Sequence, residues 1–258
     1  MAGSRTPGSA CISKNHEGID RGTLCRHRSP RPGPTLAAAK TARQKCEKAD
    51  GMNASMELST RGLDFIYSHE ALKGVSNRLH WPGGASGVTL GPGYDMKERT
   101  AEVVESDLTG IGVNGDSAKK ASEGVGKRDE HAKKFAKDHH DLINLTSEQE
   151  RKLLKIVVPS YENTVRTLVR VSLNQNQYDA LVSFVYNIGP ANFRSSTLLH
   201  KLNQCDYKGA ANEFGHWTKS GGKVLPGLVK RRSDEKSLFE SPPTGDWERA
   251  LPQTLAWA

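Results

Sequence analysis

The stretch NQNQYDALVSFVYNIGP, residues 174–190, constrains this chain more than any other. Tyr178, Leu181, Val182 and Val185 recur at helical spacing and line one face. Asn176 is placed to cap the start, and Gly189-Pro190 ends the helix. A helix with so apolar a face needs other elements to cover it, so the remaining segments are read around it. Its longest apolar run, LVSFVY at 181–186, is far too short to cross a bilayer.

Other segments carry the same period. In MELSTRGLDFIYSHEALKG, Ser59 or Thr60 caps a helix on which Leu63, Ile66 and Tyr67 form a stripe. Glu70 extends that stripe, and Gly74 marks a stop soon after. WPGGASGVTLGPGYD then reads as a hairpin or loop. Residues 98–140 read as polar helix broken by glycines at 110, 112, 115, 124 and 126. LTSEQERKLLKIVV opens with a Thr146–Gln149 capping box. Shorter helices follow in SSTLLHKLN and YKGAANEFGHW, and a last one starts near Pro226. The fold class is α+β, mainly α, with a small hairpin sheet near residues 75–95.

Residues 1–55 contain RSPRPGPT and little apolar periodicity, so they read as a basic extension ahead of a domain at 56–241. Residues 242–258 read as a tail. Net charge is +8, but ten Lys/Arg against four Asp/Glu place +6 of it in residues 1–50. A nucleic-acid-binding arm is one reading of that excess; a solvated extension is the reading adopted, with no nucleic-acid partner. Mean hydropathy is −0.62, so the chain reads as soluble, and a monomer is expected. No N-terminal segment has a signal-peptide layout, so action outside the cytoplasm would need another delivery system. The cysteines, Cys11, Cys25, Cys46 and Cys205, match no zinc spacing, and reduced thiols are expected.

Several chemistries fail on spacing. SHEALK begins a zinc-protease motif but has Lys73 where the second His is needed, and no other metal spacing exists. LGPG lacks the Gly-Lys-Ser/Thr end of a phosphate loop. No Gly-x-Ser-x-Gly elbow occurs, and Cys205 has no activation signature. Neither metal nor cofactor is expected. Carboxylates remain. Glu70 ends an apolar stripe, where partial burial would keep a carboxyl protonated as an acid. Asp95 follows a Gly-rich, solvent-reachable turn, where a carboxylate stays ionised as a base. Glycoside hydrolysis needs two carboxyls in unlike settings, and Thr89 could hold the attacking water. The plainer alternatives are a helix-end ion pair for Glu70 and a turn-stabilising role for Asp95.

The helix ending in Glu70, the hairpin with Thr89, QYDALVSFVYNIG and GGKVLPGLVKRRSDEKSLF together resemble the phage-type lysozymes of glycoside hydrolase family 24. The similarity is densest over residues 172–240. The common phage pattern has an Asp between the Glu and the Thr; this chain has none there. Asp95, six residues after Thr89, is similar instead to the pesticin-like branch. The resemblance implies a two-lobed fold, with a hairpin lobe and a helical lobe around a long central helix. It implies hydrolysis of the β-1,4 bond between N-acetylmuramic acid and N-acetylglucosamine in peptidoglycan. Glu70 would be the acid, Asp95 the base and Thr89 the water positioner of an inverting enzyme. Gly91, Gly93, Tyr94 and Asn187 would lie along the sugar, with Tyr94 where many relatives have His. Arg231 and Arg232 would lie along the sugar too, and one of them would pair with Glu70. The segment 101–145 is longer than in compact phage enzymes. A phage endolysin would reach the wall through a holin. An antibacterial effector would use a secretion machine, its carrier and an immunity protein. A non-catalytic wall-binding module is the rival reading.

Overall fold

The computed structural model of the chain describes residues 53–242. The basic extension up to residue 52 and the tail from residue 243 lie outside the described residues. Helix α1 spans Thr60–Glu70, and a hairpin pairs β1 (Thr89–Leu90) with β2 (Tyr94–Asp95). Helices α2 (Ala101–Gly110), α3 (Gly115–Ser122) and α4 (Asp129–Asp138) follow. Next come α5 (Ser147–Val157), α6 (Pro159–Leu168), α7 (Gln175–Ile188) and α8 (Pro190–Arg194). Helices α9 (Thr197–Asn203) and α10 (Tyr207–Glu213) precede a hairpin of β3 (Lys219–Ser220) and β4 (Lys223–Val224), and α11 (Pro226–Glu240) closes the order.

The buried apolar side chains form two separate cores, as a two-lobed, mainly α fold requires. One joins Leu90, Tyr94 and Met96 of the first hairpin to Val104, Leu108, Ala118, Ala121 and Ala132 of α2–α4. The glycine-broken stretch thus folds as short helices whose apolar faces cover the hairpin. The second core surrounds α7 and takes in Leu63 and Ile66 of α1. Helix α5 lies between them: Leu153 enters the hairpin core and the adjacent Leu154 enters the helical one. Each fully buried aliphatic side chain contributes about 1.5–3 kcal/mol, so one helix ties the lobes through consecutive residues. Buried Glu150, also on α5, accepts from the Tyr67 hydroxyl at 2.8 Å and the Ser76 hydroxyl at 2.7 Å.

The caps show where local sequence decided. The Ser59 hydroxyl accepts from the Gly62 amide at 2.9 Å. Thr146 and Gln149 complete both halves of their capping box. The cap of α7 differs from expectation: Asn174 caps it, in a box with Gln177. Asn176 is instead buried and donates to the Pro242 carbonyl at 2.5 Å. Asn174 has the extended backbone a cap requires, whereas Asn176 is already inside the helix. At Gly62 an added Cβ would stand 2.6 Å from Cγ of Asp179, so α1 approaches α7 where only glycine fits.

The fold also takes in Asn53–Ser55, ahead of the Met56 boundary. Asn53 is buried, donates to the Val171 carbonyl at 2.6 Å and accepts from the Leu173 amide at 3.2 Å. The second hairpin, Lys219–Val224, has no counterpart among the sequence expectations. Cys205, expected as a reduced thiol, is disulfide-bonded. Among the described residues no helix is long and apolar enough to cross a membrane.

Candidate active site

Glu70 is the last residue of α1, after which the chain turns extended at Ala71. Its carboxyl opens into a groove of about 750 Å³ between the end of α1, Asn187 on α7, and the start of α11. Another cavity, of about 660 Å³ beside Lys127 and Phe135, contains none of the expected site residues.

Arg231 donates through Nη1 to Oε1 of Glu70. The pairing left open between the two arginines is therefore Arg231. Its side chain is 5% exposed, against 26% for that of Glu70. Arg231 also donates through Nε to Oε1 of Glu235 at 3.0 Å and through Nη2 to the Ser183 carbonyl at 3.3 Å. Arg232 is 1% exposed, so it does not present itself to a substrate, which corrects its assignment as a sugar contact. Residues i and i+1 of a helix point to different sides, and α7 covers the side that Arg232 takes. Its Nη2 reaches Oδ1 of Asn187 at 3.1 Å and Oε1 of Glu235 at 3.0 Å. Nε of Arg232 stands 2.8 Å from Oε2 of Glu235, an ion pair whose N–H does not align as a hydrogen bond. Burial pushes Arg232 down to about 10, which still leaves it charged at neutral pH.

Thr89 and Asp95 face each other across the first hairpin. Both converge on Gly87: the Thr89 hydroxyl donates to its carbonyl at 3.2 Å, and Asp95 accepts from its amide at 3.0 and 3.2 Å. Asp95 also accepts from the Lys97 amide at 2.8 Å. Both plainer alternatives are thus present as contacts, an ion pair at Glu70 and a turn bond at Asp95. Thr89 is only 2% exposed, so its hydroxyl lies beneath the surface of the hairpin.

Two more assignments are corrected by burial. Tyr94 is fully buried, donates to Oδ2 of Asp107 at 2.6 Å and stacks under Arg99. It anchors α2 to the hairpin and faces no groove. Gly91 is buried, and its amide donates to the Ser76 carbonyl at 2.7 Å. Gly93 remains exposed at the hairpin tip.

The structure therefore brings Glu70, Asn187 and Arg231 together in the groove, and Thr89 and Asp95 together on the hairpin. Tyr186 links the two sets, and sequence reasoning missed it. Its hydroxyl donates to the Pro92 carbonyl at 2.8 Å, and its ring packs on Tyr161 at 4.8 Å. Burial pushes the phenol far up, with the Glu70 carboxylate adding to it. His69, part of the incomplete zinc motif, lies in the groove, 3.4 Å from Asp234. Burial, then Arg231, holds it below the usual histidine range. Glu235 was also missed, although its i+4 and i+3 spacing from Arg231 and Arg232 was the available signal. Among the described residues no group of three or more His, Cys, Asp or Glu could hold a metal ion.

Comparison with known proteins places the chain among related sequences. The phage lysozyme family model matches residues 112–235, a stretch that includes Asn187 and both arginines but begins after Glu70, Thr89 and Asp95. The endolysin of Bacillus phage B103 is 47% identical over 105 residues, 41% of this chain and 40% of that protein. The endolysin of Acyrthosiphon pisum secondary endosymbiont phage 1 is 48% identical over 101 residues, 38% of this chain and 69% of its own. A solved P22 lysozyme mutant is 28% identical, with a TM-score of 0.50 over 72% of this chain and 99% of that one. The chain spans about two fifths of the length of the Bacillus phage endolysins it matches.

Proposed function

We propose that this chain, which belongs to the phage lysozyme family, is a muramidase that hydrolyses the β-1,4 bond between N-acetylmuramic acid and N-acetylglucosamine in peptidoglycan. The observation that carries this reading is Glu70, at a helix end, open to a groove and held by Arg231. In this reading Glu70 protonates the glycosidic oxygen as the bond breaks. Asp95 takes a proton from a water that attacks the opposite face of the sugar, and Thr89, beneath the hairpin surface, acts on that water only through the Gly87 backbone it shares with Asp95. Two features support the base assignment. The backbone amides of Gly87 and Lys97 fix the carboxylate, and its Oδ2 accepts one bond, from Gly87, which leaves acceptor capacity for a water. Asn187, oriented by Arg232, and exposed Gly93 would contact the glycan.

A water between two carboxyls requires roughly 6.5–9.5 Å between them, which is the inverting arrangement. The enzyme would work as a monomer at the cell wall. Delivery would be by a phage holin or by a secretion machine, the second route implying an immunity protein. Zymography on peptidoglycan tests the function. The parent should clear the gel, and Glu70→Gln should not, because an amide keeps the shape but has no acid proton. General acid catalysis contributes about 10²–10⁴-fold, so clearing by Glu70→Gln above about a tenth of the parent rate would contradict the role. A parent that binds walls without clearing them would favour the wall-binding module.

A further inference from the structure

Glu235 takes no part in the chemistry just proposed, yet its side chain is fully buried beneath the groove. One oxygen, Oε1, accepts from the Ser183 hydroxyl at 2.8 Å, from Nε of Arg231 at 3.0 Å and from Nη2 of Arg232 at 3.0 Å. Both arginines then reach past it to the groove, Arg231 to Glu70 and Arg232 to Asn187. A buried carboxylate is costly unless it is paired, and here a single one joins two buried guanidinium groups. Burial pushes the Glu235 carboxyl up, and the two guanidinium groups pull against that. A neutral Glu235 would strand two buried cations, so the carboxylate is the form this cluster holds.

The groups facing Glu70 make that charge matter. His69 lies beside it on α1, Tyr161 faces it from α6 and Tyr186 from α7. From α11 come Arg231 and, farther off, Arg232. Burial holds His69 low and both phenols high, so these three are neutral near pH 7. Lys230 and Asp234 pair with each other at 2.6 Å and largely cancel. The net charge that Glu70 meets is therefore set by Arg231, Arg232 and Glu235. An acid beside an unshared arginine gives up its proton too early to serve as a proton donor. Arg231 is not unshared: its Nε donates to Oε1 of Glu235 at 3.0 Å.

We propose that Glu235 is a positioning residue that orients Arg231 and Arg232, and through them Glu70 and Asn187, while withholding positive charge from the acid. The inference rests on the muramidase reading, and its test separates the two. The rate of bond cleavage in a soluble peptidoglycan fragment is measured against pH for the parent, Glu235→Gln and Glu235→Asp. Alongside, the Glu70 carboxyl is titrated by carbon-13 NMR in the same full-length chains. Glu235→Gln removes a negative charge behind Arg231, so ionised Glu70 is favoured. The alkaline limb and the NMR midpoint should both move to lower pH by about one unit, less than the 1–3 units of a directly adjacent charge. Glu235→Asp keeps the charge on a shorter side chain. It should lower the rate and leave the limb and midpoint near the parent's. A merely structural role lowers the rate at every pH and moves neither. An unmoved midpoint in Glu235→Gln, or a shift of about a unit in Glu235→Asp, overturns the proposal. Should Glu235→Gln not fold, Arg232→Gln tests the same sharing with the opposite sign: Glu235 then pairs with Arg231 alone, the Glu70 midpoint should rise, and an unmoved midpoint overturns the proposal. An inactive parent refutes the muramidase reading, and the NMR midpoints still decide the role of Glu235.

Discussion

Gly93 is the position where the link between hairpin and helical lobe can be broken with least chemistry. Its φ is +78°, and an added Cβ would stand 2.3 Å from the Tyr186 hydroxyl oxygen. Gly93→Ala therefore meets two penalties. Holding alanine in the left-handed region costs about 1–2 kcal/mol. The Tyr186 hydroxyl must also move away, losing its bond to the Pro92 carbonyl, worth about 1 kcal/mol. The expected loss is about 2–3 kcal/mol in all, a fall in Tm of roughly 4–12 °C for a domain of this size. Tyr186→Phe alone should cost about 1 kcal/mol, because it forfeits the bond without the clash. In the Tyr186→Phe background Gly93→Ala should cost only the backbone share, so a double-mutant cycle by urea denaturation should show a coupling of about 1 kcal/mol. Equal costs in the two backgrounds would refute the contact. A cost below about 1 kcal/mol in the parent would refute the strain as well.

Asn53→Ala should destabilise the domain by about 1–3 kcal/mol in urea melts, since it leaves the buried Val171 carbonyl and Leu173 amide without their partner. Burial also holds His69 and His80 below the usual histidine range, so the unfolded chain binds their protons first. Stability is then full above that range and falls as pH drops through it; Tm should decline between pH 7.5 and pH 5.5 by less in a His69→Gln, His80→Gln double variant. Proton NMR of the first-formed product should show the inverted anomer, and a retained one would mean direct attack by a carboxylate at roughly 5–5.5 Å. Lysis should survive EDTA; zinc-reversible inactivation would point to an amidase or peptidase.

What sequence alone determined were features whose partners lie a few residues away. Ser59 caps α1 because Gly62 is three residues on, and Thr146 finds Gln149 in the same way. The helical periods, the stop at Gly189 and the turn that sets Thr89 against Asp95 are likewise local. Glu70 could be placed at a helix end for the same reason. Tertiary structure decided the rest. Arg231 and Arg232 are neighbours of one residue type, and only the packing of α11 on α7 turns one toward Glu70 and the other toward Asn187. Tyr94 reads like a groove residue until α2 and Asp107 close over it. Asn174 and Asn176 both suit a cap, and the choice fell to the one whose neighbour could instead reach Pro242. Tyr186 meets Pro92 across 94 positions of chain, a separation at which periodicity carries no information. Backbone preferences and short-range hydrogen bonds act within one or two helical turns. The side a charged residue faces depends on which distant surface removes it from water.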